Sequence, residues 1–152
     1  MEIYRLSGKR WASDLSGKGA ALKGARWNSP GTEIIYTAAN RSLAMAEVVV
    51  HFTLSTIPKD YMMVTIFVPD DIPYQTIWEK DLPAGWNSFP YFQITQIIGD
   101  SFIKENEFCL LKIPSVVTKG DFNILVNPFH PEFKRIKLLS IEPFYFDHRI
   151  FK

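Results

Sequence analysis

Between Leu43 and Phe52 the chain reads Leu-Ala-Met-Ala-Glu-Val-Val-Val-His-Phe, a helix that is apolar almost all the way round. Asn40 stands just ahead of it as a cap whose side-chain oxygen can accept from a free first-turn amide. A helix with so little polar surface needs most of its faces covered, so the rest of the chain must build a core around it. With 152 residues there is enough chain for one domain, and a domain of that size buries roughly two-thirds of its unfolded surface. Apolar residues at 47% and charged residues at 22% are those of an ordinary globular protein, which excludes disorder as the main state. Glu47 and His51 break the apolar pattern, four residues apart on one helix face.

The remaining segments are mixed. Ile3–Leu6, Ile34–Thr37, Tyr61–Val68, Phe108–Ile113, Asn123–Val126 and Lys137–Phe146 read as strands, rich in β-branched and aromatic residues. Gln93–Ile103 carries Ile94, Ile97, Ile98 and Phe102 at helical spacing and reads as a second helix. Residues 7–33 hold five of the glycines and one proline with little periodicity, a long irregular stretch of the kind that carries function in compact domains. Residues 69–90, with four prolines and two tryptophans, read as a wandering connection. Asn127-Pro128 and His130-Pro131 form a rigid bend. No repeat, heptad or linker divides the chain, so residues 1–152 are expected to form a single α+β domain.

Seventeen basic residues against sixteen acidic leave a net charge of +1, with no basic run to hold a nucleic-acid backbone or an anionic membrane. The single cysteine, Cys109, cannot form an internal disulfide and sits in an apolar run as a small buried hydrophobe. No signal-peptide pattern opens the chain and no run of 18 apolar residues occurs, so a cytoplasmic protein without a membrane span is expected. Phosphate loops, HExxH and GxSxG are all missing, and no Cys/His spacing suggests zinc.

Glu47 carries the strongest local conflict. A carboxylate in an apolar helix must be paired, hydrogen-bonded or protonated, and such conflicts gather at functional sites. The alternative is that Glu47 and His51 pair on the solvent face. Arg26, in Gly24-Ala25-Arg26-Trp27-Asn28, is either an anion-binding guanidinium on a loop or a surface arginine stacked on Trp27. Arg5 has two comparable readings, and an inward arginine in that first strand would need an anionic partner. Taken alone, Tyr36 reads as a core residue and Ser115 as a turn residue after Pro114. The aromatic content of 14% both fills a core and suits a pocket that stacks flat rings.

Taken in order, Tyr4-Arg5-Leu6, Arg26-Trp27-Asn28, Ile35-Tyr36, Ser42-Leu43-Ala44 with Glu47, Gly99-Asp100, Ile113-Pro114-Ser115 and Asn123 through Asn127-Pro128 to His130-Pro131 resemble the RES domain family. The Arg, Glu and Ser that name the family match Arg26, Glu47 and Ser115. Phe102 where the family often has Trp, and Lys119-Gly120 before Asp121 where a proline is usual, are mild departures. The resemblance implies a fold similar to the diphtheria-toxin-like ADP-ribosyltransferases, with NAD in a cleft between small sheets. It also implies the toxin of a bacterial toxin–antitoxin pair that consumes NAD at the nicotinamide–ribose bond. The catalytic set would be Glu47, Arg26 and Tyr36, and the NAD-binding set Arg5, Arg26, Tyr36, Ser115 and Asn123. NAD would be the substrate, with no cofactor or metal. The implied partner is an Xre-like helix-turn-helix antitoxin that blocks the cleft and links the toxin indirectly to DNA; a homodimer is compatible. The nearest rival is transfer of ADP-ribose to a protein. An RNA-targeting toxin is disfavoured by the near-neutral charge, and a non-catalytic module by the joint presence of Arg26, Tyr36, Glu47 and Ser115.

Overall fold

In a computed structural model, which describes residues 1–91 and 93–151, every expected strand joins one seven-stranded sheet. The strands are β1 (Glu2–Gly8), β2 (Ile35–Ala38), β3 (Tyr61–Phe67), β4 (Tyr74–Thr76), β5 (Leu110–Pro114), β6 (Phe122–Val126) and β7 (Lys137–Pro143), in the spatial order β4-β5-β6-β2-β1-β3-β7. All pairings are antiparallel except β4 with β5. Among the described residues three α-helices accompany the sheet: α1 (Lys18–Lys23), α2 (Arg41–Val49) and α3 (Gln93–Glu105).

Most neighbouring strands share a full ladder, with β1 and β3 paired from Glu2↔Phe67 to Gly8↔Tyr61. At the middle of the sheet the pattern changes: β1 and β2 meet only at Tyr4↔Ala38. The sheet is therefore two half-sheets, β4-β5-β6-β2 and β1-β3-β7, joined at one seam.

Period-two alternation sends Ile3, Ile35, Val64, Ile66, Leu110, Ile124 and Val126 to one face, where loop residues Ala12, Ile72 and Ile136 cover them. The opposite face carries two clusters. Trp27, Trp86 and Phe102 of α3 lie over Leu111, Ile113 and Leu125. Leu43 and Ala44 of α2, with Phe146, lie over Leu6, Ala38 and Met63. The second cluster bridges the seam, since Ala38 belongs to β2 while Leu6 and Met63 belong to β1 and β3.

Several boundaries differ from the sequence reading. The long irregular stretch contains a 3-10 turn at Lys9–Trp11 and the short helix α1, both too brief to give a periodic signal. The wandering connection contributes β4, three residues that gain their identity only by pairing with Leu110–Lys112. The apolar helix is less covered than its composition suggests: only Leu43 and Ala44 are buried, Val50 is 57% exposed, and the helix stops at Val49. Asn40 caps it as expected, its side chain accepting from Leu43 N at 2.8 Å. Strand β7 ends at Pro143, short of Phe146. No helix among the described residues is long and apolar enough to cross a membrane. Cys109 is fully buried, and burial pushes its thiol up to about 11. Asn127 is also fully buried, donating to Asn106 Oδ1 at 2.7 Å and accepting from Phe129 N at 2.9 Å, so the Asn-Pro bend is a structural device.

Candidate active site at the seam

Glu47 stands at the end of the second turn of α2 and crosses the seam to the β5–β6 hairpin. Two side chains there donate to the same carboxylate oxygen, Oε1: Ser115 Oγ at 2.7 Å and Asn123 Nδ2 at 2.6 Å. The local conflict in the apolar helix is thus resolved by two short, charge-assisted hydrogen bonds. His51 takes no part; it is exposed beyond the end of α2, so the alternative of a Glu47–His51 surface pair is overturned.

Ser115 sits one residue past β5. Its hydroxyl accepts from the backbone N–H groups of Val117 and Thr118, at 3.1 and 3.0 Å, while its proton goes to Glu47. A hydroxyl has one proton and two lone pairs, and all three are used. The sequence reading gave Ser115 a direct bond to substrate; here the hydroxyl is committed to the carboxylate and orients it.

Arg26 is placed by a tightly specified turn. Gly24 has φ +74°, and a Cβ built there would lie 2.8 to 2.9 Å from Pro30 and Asn28, so the turn requires glycine. Asn28, fully buried, donates to the carbonyls of Ala20 and Thr32 at 3.0 Å each, and its Oδ1 accepts the Tyr36 hydroxyl at 2.6 Å. From this support the Arg26 guanidinium donates through Nη1 to the carbonyls of Trp86 and Ser88, both at 2.9 Å, and lies 5.4 Å from the ring centre of Tyr91. Trp27 is buried against Trp86 at 6.3 Å, which overturns the reading of Arg26 stacked on Trp27. Burial pulls the guanidinium below its usual range, while the negative charge of Glu47 opposes that shift. Glu47 and Arg26 are therefore within electrostatic reach of each other.

Tyr36 lies half-buried in β2. Its hydroxyl donates to Asn28 and accepts from Trp27 N at 3.1 Å, so it braces the Arg26 turn. Burial pushes this phenol far above its ordinary value, with Tyr91 and Asp100 adding to the shift. Arg5 points to the other side of β1. It donates to the carbonyls of Asp14 at 2.7 Å and Trp11 at 2.6 Å, and burial pulls its guanidinium down. The anionic partner expected for an inward arginine is replaced by these two carbonyls, with Asp14 adding a favourable charge. Arg5 and Tyr36, with Ser7, Trp11, Asp14 and Ile35, line a cavity of about 310 Å³ opened by the splaying of β1 from β2. Glu47 and Arg26 lie outside that lining, and the cavity is a neighbour of the charged site rather than the site itself.

The seam therefore gathers Glu47, Ser115, Asn123, Arg26 and Tyr36, and sets Arg5 behind them. The sequence reading missed the carbonyls of Trp86 and Ser88, the ring of Tyr91 and the bracing role of Asn28. Asn28, a polar residue next to a buried tryptophan in a glycine-rich turn, was the one available signal. Among the described residues no group of three or more His, Cys, Asp or Glu could hold a metal.

Residues 2–147 match the RES domain family. The chain is 35% identical over 143 residues to a protein named Prs ADP-ribosylating toxin from Sphingobium sp. (strain YBL2), covering 93% of this chain and 89% of that one. It is 33% identical over 153 residues to Toxin Res of Yersinia enterocolitica, covering 99% of each. Its fold is similar to that of a chain in the crystal structure of the M. tuberculosis MbcT–MbcA toxin–antitoxin complex, with a TM-score of 0.74, 21% identity, and coverage of 94% of this chain and 83% of that chain. The fold is thus α+β and shared with a chain of that toxin–antitoxin complex.

Proposed function

The chain belongs to the RES domain family, and from that premise we propose that it is the toxin of a bacterial toxin–antitoxin pair that depletes NAD by cleaving the nicotinamide–ribose bond. The observation that carries this reading is one carboxylate, Glu47, held at Oε1 by Ser115 and Asn123 and facing the cation Arg26. Ordinary glycoside cleavage uses two carboxylates, one of them an acid for the leaving oxygen. Nicotinamide is positively charged in NAD and leaves neutral, so no acid is needed. A single oriented carboxylate suffices to accept from the ribose hydroxyls and to stabilise the oxocarbenium-like cation as positive charge develops.

Arg26 neutralises the diphosphate in this mechanism. Its bonds to Trp86 and Ser88 run from Nη1, and a guanidinium carries five N–H donors in a planar fork. Arg5 supplies a further cation beside the splayed strands, and the Tyr36 ring covers the nicotinamide or its ribose. Water or phosphate then takes the anomeric carbon, giving hydrolysis or phosphorolysis. An Xre-like antitoxin blocking the cleft restrains the activity; relatives named toxins and the fold shared with a chain of a toxin–antitoxin complex support such a partner.

The test is nicotinamide release from NAD by the purified, antitoxin-free protein, with and without phosphate, beside Glu47→Gln. Release that falls by about 10²–10³-fold or more in the variant supports the reading, given what one electrostatic stabiliser contributes. Full activity in Glu47→Gln would falsify it. The second reading, ADP-ribose transfer to a protein, is favoured by the Sphingobium relative's name. A labelled acceptor in lysate without net free ADP-ribose would select it.

A further inference from the structure

Asn123 was expected among the substrate ligands, and the geometry gives it a different task. We infer that Asn123 is a positioning residue that, with Ser115, divides the Glu47 carboxylate into a held oxygen, Oε1, and a working oxygen, Oε2. The inference deepens the NAD-cleaving reading and rests on it for the work that Oε2 performs.

The orientation of Asn123 follows from chemistry. A carboxylate oxygen has no proton to give, so the atom 2.6 Å from Oε1 must be the amide nitrogen. Its mount is rigid: Asn123 is paired across β6 with Ala38 of β2 on one side and with Ile113 of β5 on the other. Ser115 is equally fixed, its backbone N–H donating to Asp121 O at 2.9 Å and its hydroxyl held by two amides. Both donors therefore come from one β5–β6 hairpin, while the carboxylate comes from α2 across the seam. Both act on Oε1, and among the described residues no hydrogen bond to Oε2 occurs.

The second observation is an ion pair that does not form. Arg26 feels the charge of Glu47, yet among the described residues no ion pair within 4.0 Å joins them. A glutamate on a flexible stem, attracted by a nearby guanidinium, would collapse onto it and cancel both charges. Anchoring Oε1 on the β5–β6 hairpin holds the carboxylate off Arg26, so that Arg26 meets the anionic part of the substrate and Oε2 meets the ribose. Preorganisation of this kind is how an outer hydrogen-bonding shell supports a catalytic group.

The experiment measures NAD turnover by Asn123→Ala and Asn123→Asp, with melting temperatures to confirm folding. It also follows the Asn123 side-chain amide by NMR in wild type and Glu47→Gln. Asn123→Asp is nearly isosteric but sets acceptor against acceptor. The expected result is a kcat lower by about 10–100-fold, the range for outer-shell partners, with the KM for NAD nearly unchanged and Asn123→Asp the worse of the two. The amide resonance should shift when Glu47 becomes Gln. A raised KM at unchanged kcat would make Asn123 a substrate ligand and overturn the inference, as would unchanged kinetics in both variants or an amide insensitive to Glu47→Gln. A wild type inert towards NAD defeats the catalytic reading alone, because the amide signal decides the clamp separately and without any Asn123 variant.

Discussion

Gly99, in the middle of α3, provides the sharpest test of how the Arg26 turn is held. Helix propensity alone says that Gly99→Ala should stabilise the helix by about 1 kcal/mol. The packing says the opposite. A Cβ built on Gly99 would lie 1.5 Å from Trp27 O and 2.6 Å from Trp27 C, where real contacts below 3.0 Å essentially never occur. Either α3 or the turn must retreat by about 1.5 Å, judged from the 3.0 Å limit. Trp27 cannot easily give way, because its N–H is bound to Tyr36 and the next residue, Asn28, is fully buried. Three bonds cross the same interface: Asp100 accepts from Ser29 N at 2.9 Å, and Gln96 Nε2 donates to the carbonyls of Ala25 and Asn28 at 3.0 and 3.2 Å. A retreat of that size stretches all three beyond bonding range. Their loss at ~1 kcal/mol each, with ~1–3 kcal/mol for overpacking, less the propensity gain, leaves a destabilisation of about 3–5 kcal/mol. For a domain of this size that lowers Tm by roughly 6–20 °C. Thermal unfolding followed by circular dichroism reads it directly. A Gly99→Ala protein that melts at or above the wild-type temperature would refute the packing argument and leave propensity as the governing term.

Other expectations follow from the same contacts. Arg26→Ala removes the donor to Trp86 and Ser88, so limited proteolysis should cut faster within residues 82–91, and unchanged protection would count against the guanidinium as the tie. Asn127→Ala leaves the Asn106 side chain and the Phe129 amide without their partner and should cost about 1–3 kcal/mol by denaturant titration. The thiol of Cys109, pushed by burial up to about 11 in the folded protein, ionises first in the unfolded chain. Its contribution is present below pH 9 and is lost as pH rises towards 11, an effect of at most about 2–3 kcal/mol. Stability measured against pH in wild type and Cys109→Ala should therefore converge as the solution becomes alkaline, and parallel curves would dismiss the linkage.

The strands were legible where β-branched and aromatic residues clustered over four or more positions, because such segments suit a pleated, half-buried surface whatever they pair with. β4 was not, since Tyr74–Thr76 is a strand only by virtue of β5 beside it. The helix ending was misjudged for a related reason: nothing local distinguishes Val50 from Val49, and exposure decides where α2 stops. Glu47 stood out because a charge in an apolar helix violates a local rule. Ser115 and Asn123 violate none, and they acquire their significance from a hairpin that brings them to one oxygen. Arg26 was visible as a charge among glycines, but its partners are backbone carbonyls sixty residues away, and carbonyls carry no residue-specific signature.

The single-pair contact between β1 and β2 also governs what motion is open to the molecule. Few hydrogen bonds resist bending there, yet the polypeptide passes from one half-sheet to the other four times, in going from β1 to β2, β2 to β3, β3 to β4 and β6 to β7. The halves are stitched by connectivity rather than glued by a ladder. The halves also share one apolar core, in which Ile3, Val64 and Ile66 pack with Ile35, Leu110 and Val126, and no single cut in the chain yields two independent parts. Glu47 with its hairpin donors spans the seam, so any relative movement of the two halves acts directly on the clamp that aims the carboxylate.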